Sequence, residues 1–596
     1  MAIENNQKLD ASLNLALDVT QEDREKSLEL GTGFEPEEQI WRVIVKYIGD
    51  FSQIENLVPG SQGISLLNQY GIIRVPESQL DTLASLPQIQ YVEKPKQVYF
   101  SLDEGRSASC INSIQARPGS QGLEPGQDIG LTGRGVIVGI ADSGIDITHP
   151  AFLNPDGSTR ILYLWDQTRE IGAAGGLPAP EGYRSGVEYT EEIINQLIRK
   201  EAPEGIPFPG ESGTAHGTAV AGIAAGNGNG SPGKRYRGIA VESPLIVVKL
   251  GNAGEGFPRT TEVMEALDYM IRKAISLRLP IAMNLSFGNN YGAHNGQSLL
   301  ESYITDLAGV WKNTIVIASG NEGDARHHAQ VILENEMKIL PIAIAENERN
   351  LSLQIWKNYA DDFAVFLEAP NGVRLQIDRR PGNSEEYILE GNRLLVYYGE
   401  PTPYTQPQEI YMEWIPLEEE GFLTEGTWRV LLIPENIKDG KVELWLPTSE
   451  AIGLSTGFLR PDTETTLTLP SSARKVITVG AYNAANDTLA SFSGRGDSSD
   501  GRNMPTIVAP GVDVTTAAIG GGYTARTGTS MAAPFVAGSA ALLMEWGIVR
   551  GNDPFLYGEK LKAYLIKGAR PLPGEEVPSV RQGWGALCLA ESVPKL

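Results

Sequence analysis

Cysteine is nearly missing from this sequence, with Cys110 and Cys588 the pair in 596 residues. Two thiols cannot build a disulfide framework or a four-ligand zinc site, and they fit a cytoplasmic or otherwise reducing setting. Histidine is almost as scarce, at five. His149 precedes a proline, His294 sits among Gly and Asn, and His327-His328 lie in a polar stretch without HExxH spacing, so no metal site is expected. Long apolar runs are lacking too. No window offers about eighteen apolar residues in a row, and the first eight residues, MAIENNQK, hold no apolar core of an export signal. Neither a Sec signal nor a membrane span is expected. Positive charge is in deficit: 49 Lys and Arg against 74 Asp and Glu leave a formal charge of −25. Such a surface repels nucleic acid and anionic membranes within a Debye length, so neither is expected as a partner.

What the chain does have is length, ordinary globular composition (41% hydrophobic, 21% charged) and marked changes of pattern. At roughly 150 residues per domain it should form two to four folded units. Residues 1–36 read as an acidic, mobile leader with one short helix near 21–30. Within 37–97 the pattern runs strand (41–47), helix (51–57), strands (63–67 and 70–75), helix (77–86), strand (91–93), the β-α-β-β-α-β order of a ferredoxin-like unit. Residues 97–132, rich in Gly, Ser, Pro and Gln, read as a linker or extended arm. From there to 330, apolar strands at 135–141, 244–250, 281–288 and 314–318 alternate with helices at 191–200, 261–275 and 296–311. Each strand ends in Gly plus a polar group, the signature of a parallel, helix-covered sheet. Residues 331–454 instead give short strands and no helix pattern, as in a β-sandwich or jelly-roll. Because α/β patterning resumes at 475–481, that block reads as an insertion, with 98–330 and 455–596 as two parts of one α/β domain.

Chemistry concentrates in three stretches. Asp142-Ser143-Gly144 ends the first apolar strand, where α/β folds place their sites, though an Asp can also merely open a turn. His216 lies among small residues in Ser212-Gly213-Thr214-Ala215-His216-Gly217-Thr218, with the imidazole the one functional group there. Ser530, in Gly528-Thr529-Ser530-Met531-Ala532-Ala533-Pro534, begins an apolar helix. A helix N-terminus favours developing negative charge, although serines there commonly act as simple N-caps. Together Asp142, His216 and Ser530 supply a carboxylate, a base and a nucleophile, in the Asp, His, Ser chain order.

These three segments resemble the signature segments of subtilisin-like serine proteases, over about 130–325 and 460–590. The resemblance implies a serine endopeptidase in which Asn321, within Ala318-Ser319-Gly320-Asn321, donates to the oxyanion. It also implies that Gly254-Glu255-Gly256 and Ser286-Phe287-Gly288 flank an extended substrate. Ala151 stands where many relatives carry a calcium-binding aspartate, so no calcium or other cofactor is assumed. The unsigned leader, ferredoxin-like unit and β-insertion further resemble the Csp-type clostridial germination proteases, which cleave the zymogen of a spore-cortex lytic enzyme. That likeness implies a propeptide (1–97) acting as folding chaperone and bound inhibitor, self-cleavage at Gln97–Val98, a protein substrate, and a cytoplasmic or spore-associated location. Some Csp relatives are catalytically silent signalling proteins, which makes a silent scaffold the alternative. Two further motifs carry little: Gly228 to Lys234 spells GxxxxGK but is followed by Arg235 rather than Ser/Thr, and Arg495-Gly496-Asp497 matches an ordinary turn of the family.

Overall fold

The computed structural model describes residues 8–19, 33–36, 38–66, 69–94, 101–115, 129–170, 176–210, 215–251, 258–402, 405–418, 421–453, 455–496 and 502–594. The chain divides into two compact units, Met1–Tyr99 and Phe100–Leu596.

In the first unit the strands Ile40–Tyr47, Gln62–Leu66, Tyr70–Pro76 and Ile89–Glu93 form one antiparallel sheet. Their spatial order is fourth, first, third, second, and the two-residue strand Phe34–Glu35 pairs with the start of the first on the edge opposite the third. Alternate residues of Ile40–Tyr47 (Trp41, Val43, Val45, Tyr47) are buried, as a sheet with one covered face requires. The helices Phe51–Leu57 and Leu80–Ser85 lend Ile54, Leu80 and Leu83 to the same core. The leader departs from expectation. A helix forms at Ala11–Asp18, capped by Asp10 Oδ1 accepting from Leu13 N at 3.2 Å. Leu9, Leu13 and Ala16 join the core, and Asp10 N donates to the Val92 carbonyl at 3.0 Å. Burial of three apolar side chains outweighs the acidity that made this stretch look mobile. The helix expected near 21–30 lies outside the described residues.

In the second unit a nine-stranded sheet runs parallel from Ile161–Asp166 through Leu245–Lys249, Ile137–Asp142, Ile281–Leu285, Asn313–Ala318 and Ile477–Asn483 to Ile507–Pro510. Short antiparallel strands, Val187–Thr190 and Thr488–Leu489, complete it. Strand residues alternate between two apolar layers. Val138 and Ile140 pack with the helices His216–Ala225 and Thr529–Met544, while Ile137 and Ala141 pack with Thr260–Leu277 and Leu299–Leu307. This two-sided burial is why the strands read as unbroken apolar runs. The segment Thr529–Val549 has the length and apolarity to cross a membrane, but 89% of that window is buried here as a core helix.

Two departures concern the ends of this unit. The expected loose arm holds two helices, Ser101–Ala108 and Ile111–Gln115. Ile111 and Ile114 are buried in the core, and Cys110 is disulfide-bonded to Cys588. Thus the two thiols expected to fit a reducing setting are paired here, and they tie the arm to the far end of the chain, 478 residues away in sequence.

The insertion consists of two antiparallel sheets around one core. One runs His328–Ile332, Lys441–Trp445, Leu351–Lys357, Gln408–Pro416, Asn392–Tyr398, Asn383–Leu389; the other runs Arg374–Gln376, Asp362–Glu368, Gly426–Asn436, Lys338–Ile344, Gly457–Phe458. Trp414 of the first meets Trp428 of the second edge to face, with centroids 6.2 Å apart. The strands thus begin at His328 and end at Phe458, slightly wider than 331–454. The insertion is fastened to the α/β part: Asn290 Nδ2 donates to the Leu446 carbonyl at 3.0 Å, Gln354 Oε1 accepts from Gly292 N at 2.8 Å, and His294 stacks on Trp445 at 4.1 Å.

Candidate active site

The carboxyl ends of three adjacent parallel strands converge on one place. Ile137–Asp142 delivers Asp142, Ile281–Leu285 leads into Ser286, and Asn313–Ala318 leads into Asn321. Asp142 is 5% exposed, and its Oδ1 accepts from Ser143 N at 2.8 Å and from His216 Nδ1 at 2.7 Å. Receiving the Nδ1 proton fixes the imidazole tautomer and leaves Nε2 as the basic nitrogen. His216 opens its helix after Ala215, whose φ of 53° turns the chain through the left-handed region. The glycine that follows is obligatory, since a Cβ on Gly217 would sit 2.1 Å from the Gly144 carbonyl oxygen. This approach, with Gly217 N donating to Ser143 Oγ at 2.9 Å, locks the histidine helix to the aspartate turn.

Ser530 is the second residue of the helix Thr529–Met544, behind Gly528 at φ 149°. Its Oγ donates to the Ser286 carbonyl at 3.1 Å, and Ser286 Oγ returns a bond to the Ser530 carbonyl at 3.2 Å. As a first-turn amide, Ser530 N has no intrahelical acceptor and donates to no other described residue. Asn321 Oδ1 accepts from Thr529 N at 3.0 Å and Thr529 Oγ1 at 3.1 Å. A backbone N–H can be met only by the amide oxygen, so Nδ2 is left as the donor, next to Ser530 N. His216, Ser286, Phe287, Gly288, Asn321 and Ser530 all line one cavity of about 560 Å3. The arrangement offers a hydroxyl at a helix N-terminus, an oriented imidazole and two N–H donors, the parts needed for acyl transfer.

The structure therefore brings together Asp142, His216, Asn321, Ser530 and the Ser286-Phe287-Gly288 segment. Gly254, Glu255, Gly256, Gln97 and Val98 lie outside the described residues. Sequence reading missed Thr529, which orients Asn321, and Thr448, Glu450 and Ala451, which reach the cavity from the insertion. No local pattern marks the latter; they belong to a strand-rich block more than a hundred residues beyond Asn321. The other histidines are structural. His149 Nδ1 accepts from Ala151 N at 3.1 Å and Nε2 donates to the Gly522 carbonyl at 2.8 Å, and burial holds its pKa below the ordinary value. Arg495 is buried and donates to the Thr463 carbonyl at 3.1 Å, so it serves the turn rather than adhesion.

Residues 7–96 match the sequence model of the Csp protease B prodomain, and 133–353 with 455–585 match that of the subtilase family. The gap between the latter two segments falls in the insertion. The structure of the Clostridium perfringens CspB protease is 34% identical, covers 82% of this chain and 96% of its own, and superposes with a TM-score of 0.72. Serine protease AprX of Bacillus subtilis is 34% identical over 161 residues (24% of this chain, 34% of AprX). Minor extracellular protease Vpr of the same species is 23% identical over 497 residues (79% of this chain, 53% of Vpr). The chain thus spans about a third to a half of the length of these two curated relatives. With the family's sequence model covering more than half of the chain, and the His216 and Ser530 segments lining one cavity while Asp142 is bonded to His216, this chain belongs to the subtilase family.

Proposed function

We propose that the protein is a serine endopeptidase that works through an acyl-enzyme. The observation that carries this reading is the 2.7 Å Asp142–His216 bond beside a cavity that also holds Ser530 and the donor-oriented Asn321. In the reaction, Ser530 Oγ turns from the Ser286 carbonyl, gives its proton to His216 Nε2 and attacks the peptide carbonyl carbon. The oxyanion takes hydrogen bonds from Ser530 N and Asn321 Nδ2. His216 passes the proton to the leaving amine; water then attacks the ester by the same route, releasing the acid and restoring the hydroxyl. Asp142 stays ionised and steadies the imidazolium.

The first unit acts as a ferredoxin-like propeptide, a reading supported by its strand order and its match to a Csp prodomain, and the enzyme cleaves it at Gln97–Val98. The insertion is a jelly-roll, supported by two antiparallel sheets on one core. The natural substrate is a protein zymogen in spore germination, supported by the likeness to CspB, and the protein acts without a metal in a cytoplasmic or spore-associated setting. Labelling with a fluorophosphonate tests the core of this. Covalent labelling of the full chain that disappears in Ser530→Ala supports the enzyme, and no labelling of folded protein would instead favour a silent scaffold.

A further inference from the structure

The cavity has one wall that the α/β part does not supply. Thr448, Glu450 and Ala451 of the insertion supply it, next to Glu322. Glu322 is 3% exposed and holds the insertion in place: its Oε1 accepts from Ser449 N at 3.1 Å and Ser449 Oγ at 2.9 Å, while its Oε2 meets His327 Nδ1 at 2.5 Å. The segment is also fixed on its own account. Ala451 N donates to the Thr448 carbonyl at 2.9 Å, and Gly453 N donates to Glu348 Oε1 at 2.7 Å. A turn clamped at both ends and at its middle presents its side chains in a constant position.

That position matters because of what it adjoins. Asn321 Nδ2 and Ser530 N fix the carbonyl oxygen of the bond to be cut, and the side chain of the residue bearing that carbonyl (P1) branches one bond away. It must therefore enter the space bounded by the neighbours of Asn321, which are Glu322 with its clamped segment on one side and Ser286 to Asn289 on the other. Among the charged groups there, Glu322 is occupied by Ser449 and His327, and Arg259 is paired with Glu262 at 3.0 Å. Arg526 approaches from the other wall, on the strand leading to Gly528. Glu450 is exposed, and no described residue hydrogen-bonds or ion-pairs with its carboxylate.

We propose that residues 448–451 of the insertion form a side wall of the P1 pocket, and that the Glu450 carboxylate makes this pocket select long side chains ending in N–H donors: lysine, arginine or glutamine. This rests on the endopeptidase reading above and adds the substrate class to it. A carboxylate facing a donor at the rim of a half-enclosed pocket discriminates against an acidic P1 residue by repulsion as well as by attraction to the favoured one. A charge-assisted hydrogen bond of this kind is worth about tenfold in kcat/KM.

The test is cleavage of a peptide library varied at P1 by the full chain, its Glu450→Lys variant and its Glu450→Gln variant. Wild type should favour Lys, Arg or Gln over Glu and Asp by about tenfold or more. Glu450→Lys should shift preference toward acidic P1 residues, and Glu450→Gln should erase the advantage of Lys and Arg over Gln. If Glu450→Lys fails to fold, the Gln variant alone decides. An identical P1 profile in wild type and folded variants, or a wild-type preference for acidic or small P1 residues, would overturn the proposal. Failure of the endopeptidase reading is separate: then wild type takes no fluorophosphonate and cuts no peptide.

Discussion

At the scale of single residues, the site works because each group has one allowed orientation. Asp142 Oδ1 shares its lone pairs between Ser143 N and His216 Nδ1, and Thr529 N commits the Asn321 oxygen. Ser530→Ala and His216→Ala should each abolish peptide hydrolysis in protein that remains folded by circular dichroism; near-wild-type turnover in either would contradict their roles. Asn321→Ala removes a donor used only once charge develops on the oxygen. It should lower kcat by about 100- to 1,000-fold with KM little changed, the range known for the equivalent group of subtilisin. A pure KM effect would count against it. These residues were legible in the sequence because the geometry forces small neighbours around them: the Gly217–Gly144 approach cannot accept a Cβ, so glycine spells out the motif. Thr529 was on view in the same motif, but its bond to Asn321 joins positions 208 apart, which no local pattern reports.

At the scale of elements, the arm and the insertion carry the differences between pattern and structure. The arm's composition suggested looseness, yet Ser101–Ala108 packs its Gly105 so tightly that a Cβ would meet the Phe535 ring at 2.8 Å. Glycine there serves a close approach between elements, which composition alone cannot separate from flexibility. The Cys110–Cys588 bond closes a long loop, and such a link restricts the unfolded chain. Cys110→Ser with Cys588→Ser should therefore lower stability by about 2–5 kcal/mol, read as a fall in Tm that reducing agent reproduces in wild type but not in the variant. The insertion has an acid-sensitive seam. Trp445 is stacked between His294, at 4.1 Å, and His328, at 4.9 Å. Burial pushes the His328 pKa down to about 3, with His294 and Lys441 adding repulsion, and burial holds His294 at about 4 against the two carbonyls that favour its protonation. The nearest acid, Glu443, lies 3.9 Å from His328 Nε2 and is itself raised by burial. Both histidines bind protons more weakly folded than unfolded. Stability from this seam is thus fully present above about pH 6.5 and is lost as pH falls from there toward 3. Acid unfolding of His328→Phe, which keeps a ring in the stack, should show a weaker pH dependence over that window; an unchanged profile would exclude His328 as a source.

At the scale of the whole molecule, the question is what the first unit does for the second. A folded unit with its own core directly precedes the catalytic part, and its last strand, Ile89–Glu93, stands a few residues before Gln97. Beyond it the chain is anchored again from the helix Ser101–Ala108 onward. Self-cleavage at Gln97–Val98 would be an intramolecular reaction, since the bond and Ser530 belong to one chain. Purified protein should run as two fragments on a denaturing gel and Ser530→Ala as one. The disulfide sharpens this expectation: both Cys110 and Cys588 lie beyond residue 97, so it cannot hold the fragments together, and the two bands should appear with or without reducing agent. N-terminal sequencing of the larger fragment should begin within about two residues of Val98. A start far from there, or processing of Ser530→Ala with no other protease present, would show that the first unit is not removed by the enzyme it accompanies.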